Sequence, residues 1–189
     1  IEAFLFYYIF TKTPTKDLER NFSAWADDLR AIGSAEPARQ SEMLNVFVSD
    51  HFARGMAAKD GELQDSLKRY SQGSMQDYRT RYLLEKIAQH VDMAYRGLRT
   101  PGPLFEEYNG LEVEHILPKT AKADLRVAFG SEEGNPDYDT FKIKLGNLTL
   151  LEKPINIIAS NNFFDGKKPE YSKCASYLTK SIVALVEVG

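Results

Sequence analysis

Four polar residues stand out for the chemistry they could perform together: Glu114 and His115 side by side, then Asn147, then Asn156. Metal-assisted hydrolysis of a phosphodiester takes few parts. A hard cation needs oxygen ligands, with positions left open for a phosphate oxygen and the leaving oxygen. The attacking water needs a base, and histidine, with an ordinary pKa near 6.5, suits that task. Neighbouring strand residues point to opposite faces. Glu114 and His115 can therefore serve one centre only if their strand ends or twists there, and Pro118 is placed to end it.

Each residue also has an ordinary reading. Asn147 follows Gly146 and suits a turn, and Asn156 follows Pro154 closely enough to be an exposed first-turn residue. Asn161 and Asn162 suit the end of a helix. Lys167, Lys168 and Lys173 are solvated charge unless a phosphate lies near. His51 and His90 sit on helical stretches with no acidic or histidine partner at metal spacing, and so read as structural or surface residues.

The elements that must position this group are expected as follows. Thr13 is a candidate helix cap, with Pro14 at the first helical position and apolar residues at helical spacing from Leu18 through Trp25 to Ile32. Met43 to Phe52 carries a second stripe. A third begins at Ser74, with Asp77 completing a capping box, and runs to Gly97. All three read as the core faces of packed helices. Residues 100–110, rich in Pro and Gly, read as a linker or long turn. Leu111, Val113, His115 and Leu117 alternate as in a short strand. Residues 119–144 look loop-like apart from an apolar patch at Leu125, Val127 and Phe129. A second strand is expected over Leu148–Leu151, then a helix from Pro154, then one continuous helix carrying Tyr171, Ala175, Leu178, Ile182 and Leu185. The implied fold class is α+β. A helical subdomain, residues 1–105, packs on a small core with a C-terminal helix, residues 106–189.

Bulk properties narrow the field. Of the 189 residues, 43% are hydrophobic and 27% charged, an ordinary globular balance. The formal net charge of −3 argues against a protein that coats nucleic acid through bulk positive charge, so a polyanion must be met by local patches. Cys174 is the single cysteine, which excludes an internal disulfide or a cysteine-based zinc site and points to a reducing compartment. The apolar opening IEAFLFYYIF is about half the length a membrane span needs and lacks the features of a signal peptide. The chain opens on Ile1 and is expected to be part of a longer polypeptide.

The run EHILPK, then LGNLTLLEKPIN, then the Asn-rich, Lys-Lys-containing NNFFDGKKPEY resembles the HNH, or ββα-metal, nuclease motif. More narrowly it resembles the C-terminal nuclease domain of GmrSD-type restriction enzymes, which attack modified phage DNA. The resemblance spans residues 111–171. It implies that His115 is the general base, that Glu114 is a metal ligand, and that Asn147 bridges the loop and holds the His115 backbone. It implies Asn156 as the second metal ligand. Many such sites place another ligand one turn on, where this chain has Ser160 with Asn161 beside it. A divalent ion, Mg²⁺ with Mn²⁺ as substitute, would be the cofactor, and DNA the substrate. Lys167, Lys168 and Lys173 become candidate phosphate contacts, and a cytoplasmic bacterial defence protein with an N-terminal sensing domain is implied. In these relatives the Pro is often followed by Gln, whereas this chain has Lys119. The stretch between His115 and Asn147 exceeds that of the smallest HNH sites and suggests an insertion. The rival expectation is a degenerate fold of this type that binds DNA or protein without cutting.

Overall fold

A computed structural model describes residues 1–99, 106–120, 123–130 and 137–186. The chain forms two compact units, Ile1–Arg69 and Tyr70–Gly189.

The first unit is helical: α1 (Glu2–Phe10), α2 (Thr15–Gly33), α3 (Pro37–Phe47), a π-helical segment (Val48–Ala53), α4 (Arg54–Ala57) and α5 (Asp60–Lys68). Its core joins Phe4, Trp25 and Phe47, with Leu18, Ile32, Phe52 and Met56 packed against them. Thr13 does not cap α2: its hydroxyl pairs with that of Thr11 at 2.9 Å, and the helix starts after Pro14. The second stripe is one α-helix followed by the wider π turn. That extra width returns Phe52, five residues after Phe47, to the same ring cluster, where both pack edge-on against Trp25.

The second unit begins before the expected boundary at 105/106, because α6 (Asp77–Tyr95) belongs to it and packs against the sheet and the last helix. The Ser74 capping box does not form. The residue before α6 is Gln76, with no side-chain cap. Positions 100–105, most of the expected linker, lie outside the described residues. β1 (Leu111–His115) and β2 (Leu148–Glu152) pair antiparallel, in a register that sets Glu114 opposite Thr149 and His115 opposite Leu148. Between them the expected loop carries α7 (Ala123–Gly130) and α8 (Tyr138–Phe141). Phe129 of the expected apolar patch packs edge-on against Tyr138, while Val127 is exposed.

β2 runs directly into α9 (Lys153–Ala159), with Pro154 in its first turn where a missing N–H is harmless. α10 (Phe164–Tyr171) and α11 (Tyr177–Val186) replace the single helix expected at the end. The break is made by Asp92 of α6. Its buried carboxylate accepts from the Tyr177 backbone N–H at 2.7 Å and the Ser176 hydroxyl at 3.3 Å, capping α11, and from the Tyr108 phenol at 2.8 Å. Leu151, Ala159, Tyr171 and Cys174 form the core between the sheet and its helices, with Ile116, Ile155, Phe164 and Val183 against it. Among the described residues no helix is long and apolar enough to cross a membrane.

Candidate active site

His115 is the last residue of β1, and its imidazole Nε2 lies 2.6 Å from Oε1 of Gln72. Gln72 is brought there by its backbone. Its N–H donates to the Ile143 carbonyl at 2.6 Å, and Ser71 bridges antiparallel to Lys144, which lashes this stretch to the chain entering β2. With the Gln72 oxygen as acceptor, the ring carries its proton on Nε2 and leaves Nδ1 as the basic nitrogen. Burial holds the His115 pKa down to about 4, helped by the charges of Lys119, Lys167 and Lys142. The neutral ring is thereby favoured throughout the physiological range.

Glu114 points the other way, into the protein. Its Oε1 accepts from Lys167 Nζ at 2.6 Å and from the Tyr171 phenol at 3.0 Å, both from α10. Burial, reinforced by the Glu114 carboxylate, pushes the Tyr171 phenol well above its ordinary range, so it stays a donor. Lys167 also donates to the His115 carbonyl at 2.7 Å. One ammonium thus ties the Glu114 side chain to the His115 backbone. Lys167 is only 1% exposed, which overturns the expectation that it meets DNA phosphates: its charge is spent inside. A buried Lys–Glu pair with a third hydrogen bond is the form in which such charges are tolerated.

Asn147 sits at the entrance to β2, 2% exposed. Its side-chain oxygen accepts from the Leu117 N–H at 2.7 Å, and its amide donates to the carbonyls of Leu117 at 3.0 Å and Lys142 at 2.8 Å. Its own carbonyl accepts from the Ile116 N–H at 2.9 Å. Asn147 therefore grips the chain one and two residues past His115, and fixes where that strand ends.

Asn156 on α9 donates to Glu112 Oε2 at 3.1 Å. Glu112 lies two residues before Glu114, on the same face of β1. Ser160 and Asn161 are exposed at the end of α9, Ser160 with a positive φ of 47°. Among the described residues no three His, Cys, Asp or Glu side chains are grouped to hold a metal ion, so a hard cation would rest on two carboxylates and an amide. Glu112 and Asn156 offer oxygen side by side, and Glu114 keeps Oε2, which takes no hydrogen bond among the described residues. Magnesium is ordinarily held by one or two carboxylates with waters and phosphate oxygens, which these groups can supply. Lys168 pairs with Asp165 at 2.8 Å, and Lys173 with Glu170 at 2.6 Å; Lys173 is the more exposed of the two.

Three participants escaped the sequence. Gln72 lies 43 residues from His115 in a stretch with no motif, and no spacing rule could link them. Glu112 had a signal in the alternation Glu-Val-Glu, which puts both carboxylates on one face of a strand. Tyr171 stands in the sequence only as one residue of a helical stripe, whereas it is buried in the core and its hydroxyl also serves Glu114.

A family model described as "GmrSD restriction endonucleases, C-terminal domain" matches residues 57–187 of the chain. No curated protein and no solved structure matches it.

Proposed function

The chain belongs to the C-terminal domain family of the GmrSD restriction endonucleases, and from that premise we propose that it hydrolyses DNA phosphodiester bonds at a ββα-metal (HNH) centre with His115 as general base. The observation that carries this reading is the state of His115. A neutral imidazole stands at a strand end, one nitrogen fixed by Gln72 and the other left to take a proton.

Water gives its proton to His115 Nδ1 as its oxygen bonds to phosphorus. The bond from phosphorus to the leaving sugar oxygen breaks, and that oxygen takes a proton from solvent water. A bound Mg²⁺ or Mn²⁺ would polarise the phosphoryl oxygen and stabilise the leaving oxygen; Glu112, Asn156 and Glu114 Oε2 are the groups to hold it, with Ser160 and Asn161 close by in sequence. Gln72 sets the tautomer. Lys167 holds the backbone at the base and Asn147 holds it just beyond, where a misplacement of about 1 Å can cost roughly 10²-fold in rate. Exposed Lys173, with Lys168 and Lys119, serves as phosphate contacts in place of Lys167. The wider setting that follows is bacterial defence in the cytoplasm, with modified DNA sensed by another part of the polypeptide.

One observation favours a second reading. The ammonium against Glu114 neutralises the expected ligand, as in a domain that binds DNA without cutting it. A plasmid-nicking assay with Mg²⁺ or Mn²⁺, and with chelator, separates the two. Metal-dependent conversion of supercoiled to open-circular DNA supports the nuclease, and DNA retardation without any nicking supports the binder.

A further inference from the structure

A groove opens beside the chain that leaves His115. Ile116, Leu117 and Pro118 line it directly after the histidine, Phe141 borders it at the end of α8, and Phe163 and Phe164 close it at the start of α10. Its volume is about 320 Å³. That is the lower end of the range for small-molecule sites, too small for a stacked duplex but large enough for one planar ring.

Phe141 and Phe163 remain 38% and 44% exposed. Single exposed apolar residues are ordinary, but two aromatic rings on one groove are a recognition surface. Cations neighbour them along the chain, while the groove wall itself carries Asp165. Lys142 follows Phe141, Lys168 stands 5.3 Å over the Phe164 ring, and Lys119 follows Pro118. Asp139 is shared by Arg126 and Lys142, and Asp165 pairs with Lys168. Exposed Lys119 has no ion-pair partner among the described residues. The charges of Lys119 and Lys142 reach His115, whose protonation they oppose. Ring faces alternating with cations along a groove are how single nucleic-acid strands are held: the cations follow the phosphates and the rings stack on bases.

We propose that this groove is a base-binding subsite, which takes one nucleobase of the strand being cut, unstacked from its neighbours and laid against Phe141 and Phe163, with Lys119 on an adjoining phosphate. The proposal rests on the reading of His115 as the centre of DNA cleavage, since that is what brings a strand to this edge of the sheet. It also confines specificity here to stacking, which every base can offer.

The test uses the full chain carrying His115→Ala, so that nothing is cut, and two 12-nucleotide probes: a mixed-sequence single strand, and the same length of abasic backbone with equal charge. The intact strand should bind roughly tenfold more tightly than the abasic one, the scale of one stacked base. Phe141→Ala with Phe163→Ala should erase that difference and leave abasic binding unchanged. Phe163→Trp, which keeps a stacking face, should retain it. Equal binding of both probes, or a difference that survives loss of both rings, overturns the subsite. Cleavage by the protein with His115 intact reads the other claim. If removing the rings changes nothing while His115→Ala abolishes nicking, the nuclease reading stands and the subsite falls. If base-dependent binding is present while His115→Ala still nicks, the subsite stands and His115 falls as the base of cleavage.

Discussion

At the scale of single residues, the centre is a pair of neighbours with opposite assignments: Glu114 turned inward to an ammonium, His115 turned outward to a glutamine. Because burial lowers the His115 pKa, the native state takes up its proton only near pH 4, whereas the unfolded chain takes one near pH 6.5. Between those values the unfolded state binds more protons. Stability from this group is therefore intact above about pH 6.5 and is lost as pH falls through the window. NMR titration of the His115 ring, in protein free of DNA and metal, should give a midpoint near 4. A midpoint near 6.5 contradicts the burial argument. Lys167 makes a separate prediction. Lys167→Met strands a buried carboxylate and should cost about 3–5 kcal/mol, whereas the pair Glu114→Gln with Lys167→Met should recover most of it. Denaturant unfolding of both variants checks this, and a near-neutral single variant would mean that the carboxylate finds water. Glu114, His115, Asn147 and Asn156 could be picked out from the sequence because their types and spacing carry a motif. The burial of Lys167 could not, since a Lys-Lys pair looks solvated until a helix turns one of them inward.

At the scale of elements, the hairpin fixes the centre and the helices fix the hairpin. Strand alternation located β1, the apolar run Leu148–Leu151 located β2, and Pro154 located the start of α9, because these signals are local. The break between α10 and α11 was invisible, since its cause is Asp92, more than 80 residues away, whose buried carboxylate takes three hydrogen bonds. Asp92→Ala should destabilise the fold by about 3 kcal/mol, given what hydrogen bonds to a buried charge and a helix cap contribute. Thermal unfolding measures it, and an unchanged midpoint would mean that α11 is capped without Asp92. Asn147 acts on the same level, because its side chain grips Leu117 and Lys142. Asn147→Ala should lower the maximal cleavage rate on the order of 10²-fold with metal half-saturation nearly unchanged. Loss of metal affinity with the rate intact would make it a ligand.

At the scale of the whole molecule, composition and periodicity gave a mostly helical α+β chain, yet placed the unit boundary some 35 residues too late. The sequence shows a change of texture near residue 105, whereas the packing of α6 on β2 and α11 puts that helix with the sheet. Gln72, Glu112, Glu114, His115, Asn147, Asn156 and Lys167 all lie within Tyr70–Gly189. The measurement that bears most directly on the account is the nicking rate of supercoiled plasmid by the chain and by its His115→Ala variant, at saturating Mg²⁺, with both proteins shown folded by circular dichroism. The parent chain should nick, and removing the base should cost about 10²–10⁴-fold. A variant that nicks within a few-fold of the parent would contradict this.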